Sequence, residues 1–132
     1  MIALLIDPSK PIEEFITVID IDNYSEITRY IGGQCQMFTT VATQLLGDNT
    51  GYVDDEGLYN GQITDVGTFF VRDYQHPLAG RCVVQGIDWD TGESVDCNIQ
   101  IDDAREIFGY PTPFGPVYGN PFGDAPFNLE KD

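Results

Sequence analysis

The sequence predicts a single α+β domain with a small antiparallel sheet of about five to seven strands, two short helices and a C-terminal tail rich in Pro, Gly and aromatic residues. Short β-branched and aromatic runs, separated by turn residues, recur along the chain and are typical of strands. Two segments carry helix signals: a cap followed by Ile27 and Ile31 on one face, and a cap at Asp102 or Asp103 followed by Gly109. The 132 residues, 42% of them hydrophobic, suit one modest core.

The first third of the chain predicts a hairpin followed by a helix. The apolar run Ile2 to Ile6 and the alternating run Phe15 to Ile21 flank a segment with two prolines, so we expect the two runs to pair as strands. Asp22 or Asn23 is predicted to cap a helix of about ten residues. This helix is expected to end at the pair Gly32-Gly33.

The middle of the chain predicts the centre of the sheet. Gln34 to Val41 has strand composition, and the stretch Gly51 to Val71 follows it after a loop. Within this stretch, Tyr52-Val53 is predicted to be strand, and Asp54 to Gly57 to be an acidic turn. The run Gly67 to Val71 is β-branched and aromatic, and it predicts the next strand. The three carboxylates of the turn are therefore expected at a hairpin tip.

A second hairpin and a second helix complete the predicted domain. The arms of the hairpin are Arg81 to Ile87 and Glu93 to Ile99, and its turn is Asp88 to Gly92. One of the pair Asp102-Asp103 is predicted to cap a short helix that runs through Phe108.

The composition changes after Phe108, so we expect the domain to occupy residues 1–108 and the tail residues 109–132. The tail holds five of the eight prolines and four of the fourteen glycines. Because repeated prolines remove the backbone N–H groups that helices and sheets need, the tail is not expected to join a sheet. It is predicted to be extended or disordered chain, or an arm docked on the body or on a partner.

Several short motifs carry a resemblance to a known family. They are LIDPSKP near the N-terminus, Ile31-Gly32-Gly33, the run Tyr52 to Gly57, and the run Gly67 to Val71. Their order resembles that of a family of small proteins of unknown function, common in phages and mobile elements, with DP-K, VGG, VNEEGK and GTF-V motifs. The resemblance covers residues 4 to 108 and implies a phage-type α+β domain. It departs from the family at Thr40 to Asn49 and in the tail, and it carries over no site residues.

The charge of the chain restricts its partners. It has 22 acidic and six basic residues, a formal charge of −16, which argues against unaided binding to nucleic acid or to an anionic membrane. We expect a basic host protein as partner. The N-terminus lacks the pattern of a signal peptide, and no stretch is long and apolar enough for a membrane span, so the expected location is the host cytoplasm.

No motif indicates catalysis, a cofactor or a metal. The sequence has no nucleophile, phosphate-loop or metalloprotease signature, so we expect a protein that is not an enzyme. The segment from Asp88 to Glu93 resembles the start of a calcium loop, but Ile99 stands where the bidentate Glu is needed. Without a CxxC spacing, the three cysteines are expected to be reduced thiols: Cys35, Cys82 and Cys97.

The function predicted from these observations is that of a phage-encoded accessory protein that acts by binding, as a DNA mimic or anti-defence inhibitor of a basic host protein. Acidity that serves only solubility is the open alternative. The predicted contacts are acidic residues at hairpin ends and aromatic residues of the tail: Asp54, Asp55, Glu56, Asp88, Asp90, Glu93, Tyr110, Phe114, Tyr118, Phe122 and Phe127.

Two other functions are predicted as alternatives. A small-molecule protein that binds a nucleotide signal needs several arginines in one pocket. The candidates are Arg29, Arg72, Arg81 and Arg105. A structural or assembly protein would dock its tail on a neighbouring subunit, which makes a homo-oligomer an expectation of that alternative.

Overall fold

The computed structural model describes residues 1–23, 25–32, 35–41, 43–57 and 61–119, and within them it confirms the α+β class. The strands are β1 (Ile2–Ile6), β2 (Ile16–Asp20), β3 (Phe38–Val41), β4 (Asn49–Asp54), β5 (Thr68–Val71), β6 (Leu78–Ala79), β7 (Cys82–Ile87), β8 (Ser94–Val95), β9 (Phe108–Thr112) and β10 (Gly115–Val117). The helices are a 3₁₀ turn at Ile12–Glu14, α1 (Glu26–Ile31), α2 (Gln62–Asp65) and α3 (Ile101–Ile107).

The described strands form two sheets, where the sequence predicted one. A six-stranded sheet has the order β2-β1-β7-β4-β3, with β8 paired to β7, and a four-stranded sheet has the order β10-β9-β5-β6. The predicted pairing of the first two strands is confirmed, because β1 and β2 run antiparallel from Ile2 opposite Asp20 to Ile6 opposite Ile16. Antiparallel β7 joins β1 to β4 and lies at the centre of the larger sheet.

Both faces of the six-stranded sheet carry buried side chains. On one face, Ile27 and Ile31 of α1 form a cluster with Tyr52 and Val83. On the other face, the strands pack against the second sheet and α3 in a cluster that contains Phe69. Burial of an aliphatic or aromatic side chain of this size stabilises the fold by about 1.5–3 kcal/mol.

Helix α1 is shorter than predicted because its cap is not Asp22 or Asn23. The helix has six residues and its N-cap is Ser25. The side chain of Asn23 instead accepts hydrogen bonds from the N–H and hydroxyl of Ser25, which fixes the turn before the helix. The predicted C-terminal end is correct, since Gly32 has the positive φ of 71° that ends the helix.

The stretch Gly51 to Val71 is not a hairpin, and this prediction was wrong. Strand β4 belongs to the six-stranded sheet and β5 to the other, and α2 lies between them in sequence. Four residues are too few to show a helical period, so α2 carried no signal. The alternating residues Phe69 and Val71 are buried in the core cluster that also contains Val53 of β4, so β5 packs into the same core without pairing with β4.

The second predicted hairpin is present with a shorter second arm. Gly86 pairs with Val95 and Ile87 with Ser94, and the chain then leaves β7. The N–H of Cys97 donates to the carbonyl oxygen of Ile2 at 2.8 Å, so this segment crosses to the start of β1.

Helix α3 occupies the predicted place but has a different cap. Its N-cap residue is Gln100, and Asp102 and Asp103 lie in its first turn, where their charge suits the positive end of the helix. None of the helices in the described part of the chain is long and apolar enough to span a membrane.

The start of the predicted tail is a hairpin of the second sheet, so the prolines do not exclude it from a ladder. Strand β9 pairs with β5, and β10 pairs with β9, with Pro111 opposite Pro116. Pro116 lies on β10, the edge strand of the sheet, and Pro111 lies beyond the part of β9 that pairs with β5. The backbone N–H that each proline lacks is therefore not needed for pairing with a further strand. Residues 120–132, with Phe122 and Phe127, lie outside the described residues.

Candidate functional site

Two loops bring three carboxylates together at one end of the six-stranded sheet: Asp48 and Asp90 are exposed and Asp88 is half-buried. The N–H of Ile87 donates to the carbonyl oxygen of Asp48 at 2.9 Å, which holds the loop before β4 against the end of β7. In the turn that follows β7, Gly92 donates to the carbonyl of Asp88 at 2.6 Å, and the N–H of Asp90 donates to the Asp88 side chain at 2.9 Å. The sequence-predicted residues Asp88 and Asp90 therefore have Asp48 as a neighbour.

Trp89 projects from the middle of this acidic group. Trp89 is the only tryptophan of the chain, and it is 63% exposed. A hollow of about 300 Å³ is lined by Asp48, Ile87, Asp88, Trp89 and Asp90. Neither lysine nor arginine contributes to this lining, so the hollow combines an aromatic surface with uncompensated negative charge.

A larger, neutral hollow adjoins the acidic one. It has a volume of about 490 Å³ and shares Ile87 and Trp89 with the acidic hollow. Its other lining residues are mostly uncharged polar residues and glycines: Thr40, Val41, Thr43, Gly47, Asn49, Thr50, Tyr52 and Gly92. We call the two hollows together the Trp89 groove. No three His, Cys, Asp or Glu side chains among the described residues converge closely enough to hold a metal ion.

Asp54, Asp55 and Glu56 do not join this group. Asp54 is the last residue of β4 and Asp55 and Glu56 follow it, whereas Asp48 precedes the first residue, so about 20 Å of strand separates the two sets. Asp54 is only 6% exposed. Its carboxylate accepts from the N–H of Glu56 at 2.9 Å and from the Gln62 side chain at 3.0 Å, so its role is structural. Asp55, Glu56 and, at the turn after β7, Glu93 are exposed as predicted.

The aromatic residues predicted as anchors divide into two groups. Tyr110 packs edge-on against Phe15 with ring centroids 5.1 Å apart, and its hydroxyl donates to the carbonyl of Lys10. Tyr118 lies over the guanidinium of Arg72 at 4.1 Å. Both rings are therefore used within the fold. Phe114 is 99% exposed at the tip of the β9–β10 hairpin and has the position of an anchor.

The four arginines are not brought together. Arg29 pairs with Glu26 on α1, and Arg72 pairs with Glu106. Arg105 donates to the backbone carbonyls of Ile12 and Glu13. Arg81 donates from Nε to Asp7 at 2.9 Å and from Nη1 to the carbonyl of Ile31 at 3.0 Å. Each arginine thus makes its own structural contact, and the pocket that the nucleotide-signal alternative needs is not formed by them.

The Asp7–Arg81 pair is the most buried of the described ion pairs. Asp7 is 4% exposed, and it also accepts from the N–H and hydroxyl of Ser9. Burial alone would raise the pKa of Asp7, but the hydrogen bonds from Ser9 and Arg81 outweigh it and hold the pKa below its ordinary value. The pair joins the end of β1 to the start of β7.

The three cysteines are free thiols in environments that disfavour the thiolate. Burial raises the pKa of Cys82 to about 12. Burial and the neighbouring Asp54 raise the pKa of Cys35 to about 11. Burial also raises the pKa of Cys97. The only histidine of the sequence, His76, is exposed in a separate turn.

We expect the native thiols to resist alkylation and disulfide exchange at pH 8. At a pKa of about 12, roughly one Cys82 side chain in 10⁴ is ionised at this pH. Titration with an aromatic disulfide reagent should show slow reaction of the native protein and fast reaction of three thiols in denaturant. A thiol that reacts at the rate of a free cysteine in the native protein would contradict this assignment.

No protein-family model, curated protein or solved structure matches this chain. The resemblance of its short motifs to the phage family is untested and stays an expectation. Among the residues that line the acidic hollow, sequence reasoning missed Asp48 and Trp89 as contacts. Asp48 carried no signal, because only the tertiary structure puts it beside Asp88. Trp89 had a signal, since a lone tryptophan between two aspartates in a polar turn has no core to enter.

Proposed function

We propose that this protein acts by binding a basic protein through the acidic end of its larger sheet. The observation that carries the proposal is the set Asp48, Asp88 and Asp90 around exposed Trp89, with no cationic side chain in the lining of the hollow. Exposed carboxylates accelerate encounter with a basic surface, and an exposed aromatic residue supplies contact area once the surfaces meet.

The excess of acid over base strengthens this attraction. The chain carries a formal charge of −16, and the arginines that could offset it locally are held by Asp7, Glu26, Glu106 and backbone carbonyls. An acidic surface of this kind competes with nucleic acid for a basic site. The proposal therefore includes the expected biology: a phage-encoded accessory protein, acting in the host cytoplasm as a DNA mimic or anti-defence inhibitor, without catalysis.

A second candidate function rests on Phe114. A phenylalanine that is 99% exposed at a hairpin tip can insert into a neighbouring subunit, as the assembly alternative requires. The tip is well defined, because the hydroxyl of Thr112 accepts from the N–H of Phe114 and donates to the carbonyl of Gly115. An oligomer that persists in Phe114→Ser would remove this candidate.

We expect the immobilised chain to capture a basic protein from a bacterial host lysate in a salt-dependent way. Capture should be strong at about 0.05 M salt and lost at about 0.5 M salt, because exposed charges are screened over a few Å at the higher concentration. The test variant is Asp48→Asn/Asp90→Asn. The control variant, Glu13→Gln/Glu14→Gln, removes the same amount of charge from two exposed residues elsewhere.

The two variants separate a local site from general acidity. The proposal expects the first variant to lose most of the captured protein and the control to retain it. Equal losses in both variants would mean that net charge alone is responsible. Capture that does not respond to salt, or no captured basic protein, would contradict the proposed function.

A further inference from the structure

The face of the six-stranded sheet that packs against α1 is only partly covered by it. Near α1, the buried cluster contains Tyr52, Val83 and Ala3. Farther along the same face, Thr40 lies opposite Tyr52 and Thr50 opposite Gln85, and two residues beyond Gln85 comes Ile87. Thr40, Thr50 and Ile87 line the neutral hollow of about 490 Å³. Gln85 is fully buried here, whereas Thr40 is exposed and Thr50 and Ile87 are half-buried.

The neutral hollow on this face continues directly into the acidic hollow. Ile87 and Trp89 line both hollows, so the Trp89 groove runs from the threonines, past the indole, to the aspartates. The glycines at its sides leave room for a ligand backbone, because a Cβ at Gly47 or Gly92 would meet nothing within 4 Å. The groove is therefore open, neutral at one end and negative at the other.

We propose that the Trp89 groove binds an extended segment of a basic protein, with one arginine side chain against Trp89. This inference rests on the proposed function and names its ligand. The guanidinium lies on the indole face and faces Asp48, Asp88 and Asp90, while small neutral residues beside the arginine occupy the threonine-lined end.

The shape and charge of the groove favour arginine over the other cations. The carboxylates do not converge on one point, which disfavours a metal ion, whereas a planar guanidinium presents five N–H donors to acceptors on several sides. A planar cation also stacks on an indole, and a compact ammonium makes a smaller contact. A second copy of the chain is disfavoured as occupant by its own charge of −16.

The single tryptophan reports directly on this site. Because Trp89 is the only tryptophan in the sequence, any change of indole fluorescence on titration comes from the groove. The probe is a capped peptide of about five residues, with a central arginine flanked by serine and threonine. The matched probe carries citrulline, which has nearly the same shape but is uncharged and has a carbonyl oxygen in place of one guanidinium nitrogen.

We expect a saturable fluorescence change with the arginine peptide and about tenfold weaker binding of the citrulline peptide. Asp48→Asn/Asp90→Asn should lower the affinity for the arginine peptide about tenfold. Glu13→Gln/Glu14→Gln should leave that affinity within about twofold of the unsubstituted protein. The peptide with lysine in place of arginine should bind several times more weakly than the arginine peptide. Circular dichroism of each variant checks that the fold is intact, and Asp48→Asn alone serves if the double variant unfolds.

The possible results separate this inference from the proposed function. Equal binding of arginine and citrulline peptides, or no saturable change up to millimolar peptide, overturns the arginine assignment. If the lysate protein is still captured through Asp48 and Asp90 in that case, the proposed function stands and only its ligand is wrong. If neither the peptide nor a lysate protein depends on these aspartates, both proposals fail.

Discussion

Arg81→Leu is expected to lower the free energy of unfolding by about 3–5 kcal/mol at pH 7. The substitution leaves the carboxylate of Asp7, which is 4% exposed, without its cation, and it removes the donor to the carbonyl of Ile31. An uncompensated buried charge costs much more than the net gain from the pair itself. Urea unfolding followed by circular dichroism measures the difference from the unsubstituted protein.

The pH dependence identifies the carboxylate as the cause. In the unsubstituted protein the pKa of Asp7 is held below the ordinary value of 3.8, so its contribution to stability is present above that pH and is lost as the pH falls through the lower folded-state pKa. Without Arg81 the folded-state pKa of Asp7 is higher, so Asp7 takes up its proton at a higher pH. The stability gap between the two proteins should therefore narrow as the pH falls toward 3.8.

Two controls test the argument. Asp7→Leu combined with Arg81→Leu should be more stable than Arg81→Leu alone, because no charge is then left without a partner. Arg29→Leu removes an exposed arginine that pairs with Glu26, and it should change stability by less than about 1 kcal/mol. If Arg81→Leu lowers the free energy of unfolding as little as Arg29→Leu does, the proposed role of the Asp7–Arg81 pair is contradicted.

Gly86→Ala is expected to destabilise the protein by about 3 kcal/mol. A Cβ at Gly86 would lie 2.2 Å from the carbonyl oxygen of Asp96 and 2.8 Å from that of Val95. Backbone atoms cannot rotate out of the way as a side chain can, so β8 has to move from β7. The move also strains the hydrogen bond from the Gln85 side chain to the carbonyl of Val95.

Gly47→Ala is the matched comparison for this substitution. Gly47 has a φ of 60°, and a Cβ there would meet nothing within 4 Å, so its cost is the left-handed backbone alone, about 1 kcal/mol. Thermal and urea unfolding of both variants gives the difference. The displaced β8 should also disturb the turn that carries Trp89, whose fluorescence then changes in Gly86→Ala. Equal stability of the two variants would show that β8 is free to shift.

Local sequence patterns were sufficient where neighbours in the chain are neighbours in the fold. The alternation of Phe15 to Ile21 predicted β2 and its pairing with β1, and the turn Asp88 to Gly92 predicted the β7–β8 hairpin. These predictions succeeded because a period of two and a turn residue are properties of a few consecutive residues. The prolines of the tail misled, because a proline is excluded only from positions where its N–H would be needed.

The candidate site divides in the same way. Asp88 and Asp90 were predicted from their own turn, and that part of the site is local. Asp48 enters because the carbonyl of its backbone accepts from the N–H of Ile87, a contact between segments about forty residues apart in sequence. Asp54 was predicted as a contact but is not part of the site, because the fold buries it beside Gln62. No pattern of charges along the chain reveals this burial.

By itself, the sequence determined the α+β class, the high negative charge and the positions of the β1–β2 and β7–β8 hairpins, because composition and short-range periodicity specify them. Only the tertiary structure decided that β4 and β5 belong to different sheets, that each arginine is held by its own partner, and that Trp89 and Asp48 share a groove. These features depend on contacts between distant segments, and the packing of the whole core selects those contacts.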